Sequence, residues 1–366
     1  MAFDRVRPES MLLALKRFGI PPEFIEMVSA IYSDRSFSIS DCGITSTSRP
    51  QQAGIAQGCP LSPYLFIIVL SVIFSDVDSK SGNNPERFLR GNPKHVFDIS
   101  YADDTFLAGS ESKPVQDYLH HLIEAAGKYG LEPNWSKTLH MQVGHEENIL
   151  NPSGNVIETA TQAQYLGSLL TTTGSSAMAV GKRIGEATGI FNSLCTVWKH
   201  TSIPKHRKLE VYTSCVLSKL LFSLECETMR QTDKRRLNAF HCRCLRRIMK
   251  IPPSWISHVL NNVVLTAAGS TPLADKLLFQ QLVLFGKIAK LPNNDFLRQL
   301  SFEPYTVNPS RCIFRRRGRP RLSWQSVLLG HAVNISPQGA QQVSDLLLVP
   351  SPLQTWKWHV AENLVL

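Results

Sequence analysis

Two adjacent aspartates between two β-prone runs constrain the fold of this chain more than any other feature. Residues 97–101 alternate apolar and polar side chains, and residues 105–108 form a second, mostly apolar run. Asp103 and Asp104 lie between the runs, so the pattern predicts a strand, a tight turn and a second strand. Because Asp is common in solvated turns, the pair alone leaves a plain hairpin open as the alternative.

The same two carboxylates predict a site for a divalent metal ion. Adjacent carboxylates repel each other at a hairpin tip, and a bound cation relieves that repulsion. Mg²⁺ prefers oxygen ligands and usually also binds substrate phosphates. Two such ions about 4 Å apart would stabilise the attacking and leaving oxygens of a phosphoryl transfer. We therefore predict that Asp103 and Asp104 are metal ligands of a phosphoryl-transfer site.

Four other segments accompany the acidic hairpin in a fixed order. They are residues 2–6 (AFDRV), 53–66 (AGIAQGCPLSPYLF), 130–138 (GLEPNWSKT) and 165–169 (YLGSL). With the tetrad at residues 101–104 (YADD), these segments resemble the successive motifs of reverse transcriptases from non-LTR (LINE-like) retrotransposons. The resemblance is good over about residues 1–250 and weak beyond them. It implies RNA-directed DNA polymerisation, in which a primer 3′-hydroxyl attacks the α-phosphate of a deoxynucleotide with the help of two Mg²⁺ ions.

The resemblance also implies roles for individual residues. Asp103 would bind the catalytic Mg²⁺ directly, and Asp104 would add charge and more variable coordination. The residues implied in substrate or primer contacts are Tyr101 beside the primer end, Phe3 as the gate against a ribose 2′-hydroxyl, Gln57 and Gly58 at template and nucleotide, Lys137 at the leaving pyrophosphate, and Tyr165 and Gly167 in the primer grip. Plain alternatives stay open, since Phe3 also suits a core position and Lys137 an exposed loop.

The first residues depart from the family's pattern. In the family, a third metal-binding Asp precedes the aromatic that Phe3 matches, at a position that would fall before Met1. Asp4 follows the aromatic, and we predict a structural role for it, such as capping the next helix. The family's basic segment that meets the incoming triphosphate is also absent. We therefore expect a truncated or decayed reverse transcriptase that is inactive as an isolated chain, with a non-catalytic nucleic-acid-binding remnant as the alternative.

The fold class expected from these patterns is α+β. Apolar residues at helical spacing predict helices near Pro8 and Pro22, and further candidate helices span residues 60–76, 115–129, 178–199, 205–228, 232–250 and 273–290. The resemblance identifies the first part as a polymerase palm, with helices on a small antiparallel sheet, followed by a mostly α-helical thumb. The expected divisions are residues 1–145 (partial palm), 146–175 (primer-grip-like strands), 176–250 (basic, thumb-like helices) and 251–366 (helices, loops and a basic arm).

Charge is segregated along the chain. The net charge is +10, yet residues 1–170 carry 13 Lys/Arg and 19 Asp/Glu, whereas residues 171–366 carry 26 and 10. An acidic, metal-binding half joined to a basic half fits a polymerase that binds a polyanion. The expected partners are an RNA template, a DNA primer and deoxynucleoside triphosphates.

Two groups of arginines predict contacts with nucleic-acid phosphates. The first group lies on the amphipathic helix predicted at 232–250 and comprises Arg243, Arg246 and Arg247. Its affinity for nucleic acid would depend on salt, and a solvated helix face is the alternative. The second group is a dense run that includes Arg315, Arg316, Arg317 and Arg319. We predict a phosphate-binding arm there, with a minor-groove hook or a nuclear import signal as alternatives.

Cysteine usage and hydropathy bear on the compartment. The chain has eight cysteines and no Cys-x-x-Cys pair, which is typical of reduced thiols in an intracellular protein, and the basic arm would suit a nuclear location. The pair Cys242 and Cys244 beside His241 lacks a second ligand pair for structural zinc. The apolar run at 64–74 is too short to span a bilayer, so we expect a buried helix and no membrane partner. The sequence does not indicate an oligomeric state.

Overall fold

The computed structural model describes residues 2–84, 94–144, 146–310, 323–349 and 351–364. The chain divides into two compact units, Met1–Leu166 and Gly167–Leu366. The first unit combines helices with two-stranded antiparallel sheets, and the second is mostly helical. The α+β class is therefore confirmed, and the finer division into four regions stays a prediction.

The first unit begins with helices and carries its strands in short pairs. Its helices are α1 (Pro8–Phe18), α2 (Pro22–Tyr32), α3 (Ser62–Ser81) and α4 (Ser112–Gly127). Its strands are β1 (Ser36–Phe37), β2 (Ser40–Asp41), β3 (Ile44–Thr45), β4 (Arg49–Pro50), β5 (Val96–Tyr101), β6 (Asp104–Gly109) and β7 (Gln162–Tyr165). Within this unit β1 pairs with β4, β2 with β3, and β5 with β6.

Helix α3 is the centre of the first unit and is longer than predicted. It packs against α1 and α4, and it continues past Asp76 until Gly82 takes a left-handed φ of 60°. The Arg17 guanidinium of α1 donates to Asp76 Oδ2 at 2.7 Å and holds the pKa of that carboxyl below its usual range. This contact fixes the C-terminal part of α3 against α1.

Among the described residues, α3 alone is long and apolar enough to cross a bilayer by length and composition. The apolar run at 64–74 therefore lies in a longer helix than the sequence suggested. A core helix of a folded domain meets the same criterion, and seven residues of α3 are buried in this structure. Because these residues pack on α1 and α4, α3 is the core helix of the first unit.

The second unit is built from helices of very different lengths. They are α5 (Ser176–Ser193), α6 (Cys195–Lys199), α7 (Lys205–Val211), α8 (Ser218–Leu221), α9 (Gln231–Met249), α10 (Ser254–Ser257), α11 (Asn261–Ala267), α12 (Leu273–Ala289), α13 (Phe296–Ser301), α14 (Trp324–Ile335), α15 (Gly339–Leu348) and α16 (Leu353–Asn363), after strand β8 (Ser168–Thr171). A π-helical turn (Tyr212–Leu217) and a 3₁₀ turn (Leu224–Cys226) interrupt the region predicted as one helix at 205–228.

Two hydrophobic cores stabilise the second unit. The first contains side chains of α5, the π-helical turn, α8, α9 and the first turns of α12. The second contains the rest of α12 together with α14, α15 and α16. Trp356 is fully buried in the second core, where its indole Nε1 donates to the carbonyl of Leu282 at 2.7 Å.

A buried polar chain runs through the first of these cores. His241 is only 1% exposed, and its Nδ1 shares a hydrogen bond of 2.9 Å with Tyr212 Oη. Its Nε2 shares one of 3.0 Å with Ser270 Oγ, to which Lys276 Nζ donates at 3.2 Å. Burial, with a smaller contribution from the charge of Lys276, lowers the pKa of His241 to about 4.

We expect this histidine to make the second unit sensitive to acid. Its ordinary pKa is 6.5, so below that pH the unfolded state binds a proton that the folded state accepts only near its own lower pKa. The contribution of neutral His241 to the free energy of unfolding is therefore complete above pH 6.5 and is lost as the pH falls to about 4. The total loss is about 3 kcal/mol.

Urea unfolding at neutral pH and at mildly acidic pH, for the parent chain and for His241→Gln, measures this loss. The variant lacks the titrating group, so its loss should be smaller than that of the parent. Equal losses in the two proteins would assign the acid sensitivity to other groups.

Candidate active site

The acidic hairpin forms as predicted. Strands β5 and β6 pair from Val96 and Gly109 at the open end to Tyr101 and Asp104 at the tip. Ala102 and Asp103 form the turn between them, and Ala102 has a φ of 52°. Positive φ at the first turn residue is usual for glycine in hairpins, and an alanine there stores roughly 1–3 kcal/mol of strain. This strain is located beside the two carboxylates.

Asp103 and Asp104 lie at the tip of the hairpin and are both exposed. In the part of the chain that the structure describes, neither forms an ion pair. The same part contains no group of three or more His, Cys, Asp or Glu side chains placed to hold a metal ion. Because Mg²⁺ is often held by one or two carboxylates plus substrate phosphates, the two aspartates fit such an ion when a phosphate supplies further ligands.

Tyr101 and Tyr165 lie beside the carboxylates. The Tyr101 side chain is 66% exposed, next to the turn. The Tyr165 hydroxyl donates to the carbonyl of Ile99 on β5 at 3.0 Å, and its ring lies 5.6 Å from that of Phe106 on β6. Burial, and secondarily the charge of Asp104, raise the pKa of Tyr165. The fold thus brings the predicted primer-grip tyrosine to the acidic hairpin.

Gly167 lies two residues after Tyr165 and is the first residue of the second unit. Leu166 and Gly167 have φ angles of 47° and 81°. A Cβ at Gly167 would lie 3.0 Å from the ring of Phe222, and the Gly167 carbonyl accepts from Arg183 Nη2 at 2.6 Å. Both its backbone conformation and its packing therefore explain a glycine here, and its role in a primer grip stays a prediction.

Phe3, Asp4 and Gln57 belong to a second cluster of predicted site residues. The Phe3 ring is half-buried and stacks on Phe66, with centroids 4.4 Å apart. Gln57 Nε2 donates to Asp4 Oδ1 at 2.8 Å. Asp4 does not cap α1, because the N-cap is Arg7 and no side chain caps that end. The prediction of a helix cap was therefore wrong, and Asp4 instead orients Gln57.

Gly58 and Lys137 lie on exposed loops. Gly58 has a φ of 86°, and a Cβ there would meet no atom within 4 Å. Lys137 lies in a turn in which its backbone N–H donates to the carbonyl of Asn134 at 3.0 Å. No contact within the described ranges joins Lys137 to the acidic hairpin. Their predicted roles at template, nucleotide and pyrophosphate therefore stay predictions.

A third carboxylate of this region, Asp98, was missed by the sequence analysis. It is half-buried on β5, and burial together with the charge of Asp78 raises its pKa. The hydroxyl of the buried Tyr118 donates to Asp78 Oδ1 at 3.1 Å. The sequence carried no signal for this role, because the alternation places Asp98 among the polar positions of the strand. Asp78 of α3 and Tyr118 of α4 thus lie next to Asp98 and support the base of the hairpin.

The predicted phosphate contacts of α9 divide into two kinds. Arg243 and Arg247 are exposed. Arg246 is 6% exposed and donates to Pro252 O at 3.1 Å, to Ser257 Oγ at 3.3 Å and to Asn261 Oδ1 at 3.1 Å, in addition to Val259 O. The prediction that Arg246 binds nucleic acid was wrong, because its guanidinium holds the loop after α9. The arginines at 315, 316, 317 and 319 lie outside the described residues.

Comparison with known proteins bears on the family of this part of the chain. A sequence model of the reverse transcriptase (RNA-dependent DNA polymerase) family matches residues 1–170. A probable RNA-directed DNA polymerase from transposon BS of Drosophila melanogaster is 23% identical over 69% of the chain and 28% of its own length. The RNA-directed DNA polymerase from mobile element jockey of the same organism gives the same identity and coverage. A retrovirus-related Pol polyprotein from the type-2 element R2DM is 26% identical over 37% of the chain and 12% of its own length.

The α+β unit with its acidic hairpin is thus of the reverse transcriptase class. The chain matches the reverse transcriptase family over residues 1–170, and its relatives support the resemblance to reverse transcriptases of non-LTR (LINE-like) retrotransposons that the motifs predicted. It spans 28% of the length of the first two relatives.

Proposed function

We propose that the first unit acts as the palm of an RNA-directed DNA polymerase, with the second unit as its thumb, and that the chain extends primers despite the inactivity expected from its first motif. The observation that carries the proposal is the pair Asp103 and Asp104, exposed and free of ion pairs among the described residues, at the tip of a hairpin. The hairpin lies inside the part of the chain that matches the family. Two unneutralised carboxylates at an accessible tip favour binding of a cation that carries a phosphorylated substrate.

Asp103 and Asp104 would hold Mg²⁺, which when bound supplies positive charge to the phosphoryl oxygens. Tyr101 would lie against the last nucleotide of the primer. Tyr165 would hold β5 in place through its bond to the Ile99 carbonyl, which positions the tip of the hairpin.

The second cluster would contact the incoming nucleotide. The Phe3 ring is fixed by Phe66, so it would form a rigid wall that excludes a 2′-hydroxyl. Gln57, oriented by Asp4, would donate to the template or nucleotide, and Gly58 would let the backbone approach it closely. The ammonium of Lys137 would neutralise or protonate the leaving pyrophosphate.

The proposed partners are an RNA template, a DNA primer and deoxynucleoside triphosphates. The uneven charge favours them, because 26 of the 39 basic residues lie in residues 171–366. We also propose an intracellular, nuclear location, where such an element would reach chromosomal DNA.

A second candidate is a protein that binds nucleic acid without extending it. The observation in its favour is that the described residues offer two carboxylates and no group of three metal-ligating side chains. A site with fewer ligands holds its ion less tightly and positions it less well.

Primer extension on an RNA template with deoxynucleotides and Mg²⁺ separates the two candidates. The polymerase proposal expects extension that chelation of Mg²⁺ abolishes and that Asp103→Asn lacks. Salt-sensitive template binding without extension would favour the second candidate and overturn the first.

A further inference from the structure

A pocket in the second unit is lined by cationic side chains outside the region that matches the family. Its volume is about 350 Å³, and it is lined by Cys195, Trp198, Lys199, Arg247 and Lys250. Lys199 is the last residue of α6, and Lys250 follows the last residue of α9. Two lysines at the C-terminal ends of helices and one arginine from the last turn of α9 therefore bring three positive charges to one place.

The charges of this pocket are not neutralised by acidic side chains. Within the described residues, Lys199, Arg247 and Lys250 form no ion pair. Other cations of the same unit form ion pairs. Arg207 pairs with Glu210 at 2.7 Å, and Arg183 pairs with Glu186 at 2.9 Å. Among the described residues, the pocket lining includes no acidic side chain, so the side chains that line it give a positive electrostatic potential.

A buried lysine adds to this charge from inside the unit. Lys208 is 3% exposed, and its Nζ donates to the carbonyl of Trp198 at 2.9 Å and to that of His200 at 2.7 Å. It forms no ion pair with the described acidic residues. These carbonyls flank Lys199, so the buried ammonium lies directly behind one wall of the pocket. A buried charge without a counter-ion is costly, and an anion in the pocket would offset that cost.

Arg247 is held in place for such a contact. Its guanidinium lies 5.1 Å from the centre of the Phe191 ring, and its Nη1 donates to Asn192 Oδ1 at 3.2 Å. These two contacts use one face and one donor of the guanidinium, which leaves further N–H groups for an anion. Because the side chain is ordered in advance, binding an anion costs less conformational entropy.

Helix polarity offers a purely structural account of part of this cluster. Cations near a helix C-terminus are stabilised by the helix dipole, which applies to Lys199, Arg247 and Lys250. It applies also to Lys208, whose ammonium donates to carbonyls at the C-terminal end of α6, but it does not explain why the described lining of the pocket lacks an acidic side chain.

We propose that this pocket binds a backbone phosphate of a nucleic-acid strand. The inference rests on the proposed function only in taking nucleic acid as the partner. A phosphodiester suits the pocket because a planar guanidinium and several ammonium groups match its oxygens. The pocket therefore adds Lys199, Lys250 and the buried Lys208 to Arg247 as determinants of strand binding.

The salt dependence of RNA binding tests the pocket directly. The test variant combines Lys199→Gln, Arg247→Gln and Lys250→Asn, with Asn chosen because Lys250 has a left-handed φ of 59°. Loss of one phosphate contact lowers the slope of log K against log salt by about 0.7 on a single strand, so we expect the slope of the test variant to be smaller by about 0.7. The matched control combines Arg235→Gln, Lys287→Gln and Lys357→Gln, which remove the same charge away from the pocket lining.

Equal changes of the salt slope in the two triple variants would overturn the proposal, since they would reflect net charge alone.

Cys195 lines the pocket and gives a second measurement, because its alkylation by a maleimide can be followed by mass spectrometry. A single-stranded RNA oligonucleotide should slow alkylation of Cys195 and leave that of the exposed Cys215 unchanged. Protection of neither thiol, or equal protection by polyglutamate, would also contradict it.

The two proposals fail separately in these experiments. Asp103→Asn should remove extension and keep both the parent salt slope and the protection of Cys195. Loss of the pocket effect with extension intact would reject the phosphate site alone, whereas binding without extension would reject the polymerase alone.

Discussion

Replacing Asp103 with Asn should lower the rate of primer extension roughly 10³-fold, or about 4 kcal/mol in activation free energy. The side chain would keep its size but lose the charge that holds the metal ion. The change should leave the fold intact, because Asp103 is exposed and forms no ion pair among the described residues. The rate of single-nucleotide addition at saturating substrate measures the effect.

Glu111→Gln is the matched control for this change. Glu111 is exposed, lies in the same unit and caps no backbone group of α4 with its side chain. Its variant should extend primers at the parent rate. If Asp103→Asn also kept the parent rate, the activity would not depend on the acidic hairpin, and the assignment of the site would be wrong.

Replacing Trp356 with Ala should destabilise the second unit by about 3–5 kcal/mol. The indole is fully buried among α12, α14 and α16, and its Nε1 donor satisfies the carbonyl of Leu282. Its removal would leave a cavity and an unsatisfied carbonyl. Urea unfolding followed by circular dichroism would measure the loss.

Two further variants make this prediction specific. Trp358 lies on the same helix but is 61% exposed, so Trp358→Ala should change stability by less than about 1 kcal/mol. A Cβ at Gly286 would lie 2.1 Å from Trp356 Cδ1, so Gly286→Ala alone should be destabilising. Combined with Trp356→Ala it should cost less than the sum of the single changes. Similar losses in Trp356→Ala and Trp358→Ala would show that this core does not hold the unit together.

Local signals in the sequence predicted the parts of the fold that depend on neighbouring residues. The period-2 pattern around the two aspartates gave the hairpin, and prolines at helix starts gave α1 and α2. The interruption of the helix predicted at 205–228 had no such signal. Its second part, after Leu221, coincides with Ser223, whose φ is 65° and whose Oγ accepts from the distant Arg183 at 3.2 Å.

The sequence predicted those parts of the candidate site that consist of adjacent residues. It did not predict the parts that depend on tertiary contacts. Asp103 and Asp104 are neighbours in sequence, whereas Tyr165 reaches the hairpin from 66 residues away. The basic helix shows the limit most clearly, because Arg246 and Arg247 are adjacent and similar in charge. Only the loop carbonyls that surround Arg246 distinguish its structural role from that of its exposed neighbour.

Helix α12 determines where this protein can be shortened without loss of structure. Its Leu273 and Leu277 belong to the first core of the second unit, and its Leu282 and Phe285 belong to the second. A fragment that ended at the proline pair after α9 would lack the side chains of α11 and α12 that belong to the first core. The basic helices used for RNA-binding work should therefore be prepared with α12 and its partners α14 to α16 attached, and not as a minimal peptide.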